Sequence, residues 1–434
     1  MENKVLQPIR YLVCGALIFV TAASLMLGAL LLSALVPKKA IKEKTLESAE
    51  YLYEGELFGE ALSGIEGSRI DRYADAILLN IAWHYGDGSE ALNTEGGLLR
   101  SVLLSAYYFS PVHEENENFL TAVRDDKGAN RQYMRYWHGS IAIVRPLLAF
   151  FSIKQIYILN AVILFILAAF FVFFSVRKRR YATAVGMVAA LILTGSWFVP
   201  MSLEYTWTFI LMLAASFIAV RLAEQGKEKR YAAFFLLTGM LTSYLDFLTT
   251  ETITLLIPLL LIIWTEKESG IKREGRGLYL MSLKSSLTWF FGYAGMWILK
   301  WAVTAAVMHE NVMPYVSEHI EERLGGDMGL GLFQYLILSL TRNIGCLFPL
   351  GYGTAGLLIG LGLLIAAVYV GYVYHGKSIA GDRILVYAAI GLVPYVRYLI
   401  LHNHSFLHCF FTYRAQAATV MAAVFILSEL TRTE

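Results

Sequence analysis

The sequence predicts an all-α, polytopic integral membrane protein, and three observations carry that reading. Of its 434 residues 57% are hydrophobic and 16% charged, where a soluble domain carries roughly 25% charge, and the mean hydropathy is +0.55. The apolar residues are gathered into runs near the ~20 residues that cross a hydrocarbon core of about 30 Å as a helix. The basic residues then fall on alternate loops, as they do in polytopic proteins. A net charge of +2 lacks the basic excess that phosphate-backbone binding needs, so no nucleic-acid partner is expected. Cys14, Cys346 and Cys409 are far apart without CxxC spacing. They are therefore expected to be packing residues and not a disulfide framework or a thiolate zinc site.

The first element, residues 11–36 (YLVCGALIFVTAASLMLGALLLSALV), carries no charge. It is longer than the roughly 7–15-residue apolar region of a cleaved signal peptide and is expected to remain as the first transmembrane helix. Further apolar runs lie near 155–176, 183–199, 204–221, 231–247, 252–264, 280–307, 354–374, 384–401 and 414–430, giving about ten crossings. Residues 139–152 and 333–348 are apolar but interrupted by Arg145 and Arg342, which suits one or two re-entrant or interfacial helices. Three regions follow: 1–36 as first span, 37–138 as a large extracytoplasmic loop, and 139–434 as a multi-helix transmembrane domain.

Orientation follows from the basic residues. The loops at 177–182, 221–230, 265–277 and 375–383 hold fourteen Lys and Arg, while the opposite short loops near 199–205, 248–251, 309–332 and 402–414 hold only Arg323 and Arg414. Basic loops stay cytoplasmic, so both termini are expected in the cytoplasm of a multi-pass cell-membrane protein, with 37–138 and 402–414 outside. The 37–138 loop contains 17 acidic and 11 basic residues and reads as solvated or headgroup-level structure. Within it, SRIDRYADAILLNIAWHY places Ile70, Tyr73, Ala74, Ile77, Leu78 and Ile81 at three- and four-residue steps, the period of an amphipathic helix. GGLLRSVLLSAYYFSPVHEENENF repeats the pattern, and both helices are expected on the membrane surface. Asp71 and Asp75 stand four apart on one face with Arg69 and Arg72 adjacent. One of them can serve as a general base; the alternative is a solvated, salt-bridged helix face.

Ionisable side chains at membrane depth are costly and face cavities or partners. Here they collect at the outer ends of spans: Glu204, Asp246, Glu251, Arg397 and the stretch from His402 to Arg414, which points to a cavity open to the outside. His404 and His408 are four apart. With Asp246 or Glu251 as third ligand they could hold a divalent metal ion; alternatively, imidazoles and Arg414, joined by Arg135, Arg145 and Arg397, hold an anionic phosphate. His138 and Tyr413 belong to the same group of candidate binding residues, and the aromatic residues around them fit either sugar stacking or an interfacial belt. GxGxxG after a strand, a Walker lysine loop and HExxH are all absent from the sequence, so nucleotide hydrolysis and zincin chemistry are unsupported.

A first span, a long outer loop with amphipathic helices and an early acidic residue, then many spans on short loops: this layout resembles the polytopic GT-C glycosyltransferases over most of the chain. RYWHG (135–139), SYLDFLT (243–249) and HSFLHCFFTYR (404–414) also look like stretches of bacterial membrane proteins of unassigned activity. The resemblance implies that an outer-loop aspartate, Asp71 before Asp75, acts as base, although the two do not form the adjacent acidic pair of several such families. It also implies a sugar drawn from a polyprenyl-phosphate carrier, an acceptor glycan, lipid or protein of the cell envelope, surrounding membrane lipids, and in some members a divalent metal ion. The rival from another class is a transporter or flippase of a lipid-linked precursor, for which Lys284 and Lys300 are the only hint of a polar path inward.

Overall fold

The computed structural model describes residues 2–86, 97–309, 311–324, 329–347 and 381–431, with isolated positions between 358 and 373. Its helices, in chain order, are α1 (Glu2–Ala34), α2 (Lys38–Tyr53), α3 (Arg72–His84), α4 (Gly97–Leu104), α5 (Glu115–Arg124), α6 (Ile141–Leu147), α7 (Ile153–Arg177), α8 (Tyr181–Leu193) and α9 (Thr206–Glu224), followed by α10 (Tyr231–Leu245), α11 (Ile253–Glu268), α12 (Gly275–Met308), α13 (Met313–Leu324), α14 (Leu332–Gly345), α15 (Gly381–Ile400), α16 (His402–Leu407), α17 (Cys409–Thr412) and α18 (Ala417–Leu430). Among the described residues there is no strand, only the isolated bridges Glu60 to Arg69 and Tyr107 to Arg131. The protein is all-helical.

Among the described residues, six stretches are long and apolar enough to cross a membrane: Leu12–Ala34, α7, α9, α12, α15 and Cys409–Leu430. That is fewer than the ten expected crossings, for physical reasons that differ from run to run. The 183–199 run stops at α8 because Gly195 takes a left-handed φ of 56° and a 3-10 turn follows. α10 ends at Leu245 where Asp246 leaves the helical region, and α11 has 16 residues, a rise of about 24 Å against a core of about 30 Å. The 354–374 run lies outside the described residues, as does the 375–380 part of one basic loop. The 139–152 and 333–348 segments form α6 and α14, both too short to span.

Two cores organise the packing. One lies among α7, α9, α10, α11, α15 and α18. Its centre is α11, in which every residue from Ile253 to Glu266 is buried, as expected of a helix apolar on all sides. α10 and α12 approach so closely that a Cβ on Gly239 would fall 2.1 Å from the Trp289 carbonyl oxygen, and one on Gly292 would fall 2.3 Å from that of Leu236. Only glycine permits this backbone contact.

The second core joins the outer region to the ends of the long helices: α1, α2, α3, α5, α6 and the start of α7. α3 is not a surface-lying amphipathic helix. All residues from Asp75 to His84 are buried, because α2 and α5 cover the side that the sequence pattern leaves polar. Its polar groups find partners inside: Asn80 exchanges hydrogen bonds with the Tyr108 backbone at 2.9 and 3.2 Å, and the His84 ring nitrogens lie 2.9 Å from the Asn80 and Lys127 carbonyls. α4 likewise packs on α1 and α12, with Leu103 and Leu104 against Met308.

The basic loops meet at one end of the bundle and pair there. Arg180 bridges Glu224 at 2.9 Å and Glu268 at 3.2 Å, Arg273 bridges Glu266 at 2.9 Å and Glu228 at 2.8 Å, and Lys267 and Arg383 share Glu429. The opposite end carries the site described next.

Candidate functional site

A cavity of about 430 Å³ opens where the start of α3, the 133–138 loop, Glu204 and α16 come together, a size within the usual range for small-ligand sites. Phe58, Tyr73 and Leu407 stand half-exposed at its rim, while Asp71, His138 and His404 are buried around it. Phe58 and Tyr73 stack with centroids 5.7 Å apart.

Asp71 reaches the cavity because it is the N-cap of α3, its Oδ1 accepting the Ala74 N–H at 2.9 Å. Glu204 lines the same cavity, near enough for the two carboxyls to influence each other electrostatically. Asp71 is buried and Glu204 half-buried, and two adjacent carboxylates cannot both ionise cheaply. Burial and then the Asp71 charge push Glu204 well above the usual carboxylate range, whereas Asp71, raised by burial but held by the Ala74 N–H, comes to about 6. The two carboxyls titrate as a pair, in which the first proton lost leaves one carboxylate beside a protonated neighbour.

Asp75 lies behind Asp71 and does not line the cavity. Its carboxyl accepts from the Tyr157 hydroxyl, from the Leu203 N–H at 2.8 Å and from the Ser202 hydroxyl at 3.5 Å, and burial pushes it up to about 8. Neither aspartate belongs to a solvated, salt-bridged face. The flanking arginines go elsewhere: Arg69 pairs with Glu60 and Glu66, and Arg72 lies over Tyr51 and donates to its carbonyl at 3.3 Å.

Arg135 and His138 face the cavity from the other side. The Arg135 guanidinium lies 4.7 and 5.1 Å from the Tyr133 and Tyr136 ring centres and donates to the Tyr133 hydroxyl at 2.6 Å. His138 holds a left-handed φ of 52°, a conformation strained for a side-chain-bearing residue. The next residue explains the hold: the Gly139 N–H bonds the Tyr244 carbonyl at 2.9 Å, and a Cβ there would strike the Tyr244 ring at 2.3 Å. Burial, then the charges of Lys300 and Arg135, keep the His138 imidazole well below its ordinary pKa and so neutral.

His404 and His408 also line the cavity, their rings 4.9 Å apart. The HSFLH segment is pinned by Asn343 of α14, which donates to the Ser405 carbonyl at 2.8 Å and accepts from the Thr412 hydroxyl at 2.6 Å. His402 packs on Tyr335 away from the cavity.

The remaining candidates have structural partners. Asp246 accepts from the hydroxyls of Thr208 at 2.9 Å and Thr249 at 2.5 Å and from the Thr249 N–H at 3.1 Å. Glu251 is held by Arg397 in a two-pronged pair at 2.6 and 3.1 Å. Among the described residues, the histidines form no three-ligand group with either acid, because Asp246 is taken up by Thr208 and Thr249 and Glu251 by Arg397.

Arg145 is buried and donates to the carbonyls of Ser33 at 3.1 Å, Val36 at 2.9 Å, Trp83 at 3.4 Å and Ala82. It thereby caps the ends of α1 and α3, where a cation is favoured. Arg414 donates to the Phe410 and Gly67 carbonyls at 2.8 and 3.1 Å, and Tyr413 to those of Gly67 and Thr194 at 3.1 and 2.9 Å. Neither lines the cavity. Lys300 donates to the Leu103 carbonyl at 2.7 Å and Lys284 is exposed on α12, so neither of them contributes to the cavity wall.

Sequence reasoning missed the nearness of Asp71 to Glu204, the Phe58–Tyr73 rim, and Phe247 in the wall, whereas Asn403 and Phe411 lie in the 402–414 stretch that the sequence placed at the cavity. The missed contacts join segments distant in sequence and have no spacing signature. What fold and site define is a membrane-embedded, all-α protein with a carboxyl pair, a guanidinium and imidazoles around one cavity. No family model, curated protein or solved structure matches the chain.

Proposed function

We propose that the protein is a membrane glycosyltransferase of GT-C type, transferring a sugar from a polyprenyl-phosphate carrier to a cell-envelope acceptor at the outer face of the cell membrane. The observation that carries this reading is the Asp71–Glu204 pair facing Arg135 across one cavity. Asp71, near 6, is ionised at neutral pH and accepts the proton of the acceptor hydroxyl. The acceptor oxygen bonds the sugar C1 as the C1–O bond to the carrier phosphate breaks. Arg135 takes the departing phosphate, with neutral His138 and the two α16 histidines as further hydrogen-bond partners. Around this site the reading places about ten crossings, counting α8, α10, α11 and the 354–374 run, with both termini in the cytoplasm.

The test is turnover of a labelled polyprenyl-phosphate sugar by purified protein in lipid. Asp71→Asn keeps size and polarity but removes the base, and it is expected to lower transfer by roughly 10²–10⁴ with folding retained. Transfer at the parental rate in monodisperse Asp71→Asn protein excludes Asp71 as base. Movement of the carrier between leaflets without sugar transfer supports the flippase reading instead.

A further inference from the structure

Three side chains outside the cavity meet at one point. Cys346 follows α14, Cys409 opens α17, and Glu66 lies in the 3-10 turn Glu66–Ser68. One carboxylate oxygen and the two Sγ atoms all lie within 4.8 Å of one another. Both cysteines are buried, and Tyr413 and Leu347 pack around them. Arg342 bonds Glu66 Oε1, and Arg69 stands 3.7 Å from the same oxygen and 3.5 Å from Glu60.

We infer that Glu66, Cys346 and Cys409 bind a thiophilic divalent cation of the zinc type, with a water molecule completing the coordination. Two sulfurs and one carboxylate suit a borderline-soft ion and not magnesium or calcium. The charges close as well. Two thiolates, Glu66 and Glu60 are balanced by a divalent ion together with Arg342 and Arg69, so the loaded cluster is neutral within the protein. Binding releases two thiol protons to solvent and forms two metal–sulfur bonds, with no oxidant involved. The ion would tie α14 and α17 to the turn whose Gly67 carbonyl already accepts from Tyr413 and Arg414, five residues before Asp71. This site does not depend on glycosyl transfer, and its failure leaves the cavity chemistry untouched.

The test uses the full chain, purified in lipid and stripped with a chelator, with Co²⁺ as probe. The expected result is one Co²⁺ per chain and a thiolate-to-cobalt charge-transfer band in the near ultraviolet. Cys346→Ser and Cys409→Ser each reduce the band, Cys14→Ser leaves it intact, and Glu66→Gln keeps the band but weakens affinity by roughly 10–100-fold. Should the serine variants fold poorly, the parental protein decides: Zn²⁺ is expected to protect two of the three thiols from alkylation, and a chelator to expose them again. Cobalt binding without the band, the band persisting in the double serine variant, three thiols alkylated alike with and without Zn²⁺, or a Cys346–Cys409 disulfide in the protein as isolated would each overturn the assignment.

Discussion

The two ends of the helical bundle treat charge in opposite ways. At the basic end, acids meet bases: Arg180, Arg273, Lys267 and Arg383 pair with Glu224, Glu228, Glu266, Glu268 and Glu429. At the other end, alongside the Glu251–Arg397 pair, acid also meets acid: Asp71 and Glu204 line one cavity and Asp75 sits among neutral donors. A network of opposite charges is a structural solution with little chemical potential left. A carboxyl pair held in a cavity stores an unfavourable ionisation, and that is how proteins bring an acid into the range of neutral-pH proton transfer. This contrast is why we propose the cavity end, and not the basic end, as the place of chemistry.

The largest effect that would sharpen this contrast is the loss of transfer in Asp71→Asn, roughly 10²–10⁴ in rate, measured as carrier turnover; Arg383→Ala is expected to leave turnover at the parental level. Next is stability at the cavity end. Arg397→Ala strands buried Glu251 and is expected to cost about 3–5 kcal/mol, read as a fall in thermal midpoint. A shift as small as that of a surface pair would remove the distinction between the two ends.

A third effect concerns pH. Asp75 has its folded pKa raised to about 8, above the roughly 3.9 of an unfolded aspartate, so the folded state binds the proton more tightly. Its stabilising contribution is complete at low pH and is lost as pH rises through 8. The thermal midpoint is expected to fall between about pH 4 and about pH 8 and to level off above it, and Asp75→Asn, which mimics the protonated group, is expected to flatten that fall. The smallest effect belongs to the basic end: Arg221→Ala, which removes an exposed guanidinium paired with Glu224, is expected to cost about 0.2–1 kcal/mol, less at high salt.

Much of this was legible in the sequence. The all-helical membrane class followed from composition and runs, and the gathering of basic loops at one end followed from their alternation. Asp71 stood out as a polar residue at the start of an apolar-periodic helix, and His404 and His408 by their spacing. Partners were not legible. Nothing near Asp71 announces Glu204, because the two meet only through tertiary packing. Arg145 and Arg414 read as anion binders from residue type alone, but their acceptors are carbonyls at the ends of other helices, and backbone acceptors leave no trace in sequence. Hydropathy counts apolar residues without seeing where a helix stops, so Gly195 and Asp246 shortened two expected spans. The three cysteines lacked a motif, yet two of them, 63 positions apart in the chain, meet.

The central claim, that the cavity end holds a buried aspartate as its working base, is tested most directly by the pH dependence of sugar transfer from the lipid-linked donor. Because Asp71 titrates at about 6, kcat/KM is predicted to rise about tenfold per pH unit below that value and to level off above it. A rate independent of pH across this range, in protein that remains folded throughout, would contradict the account.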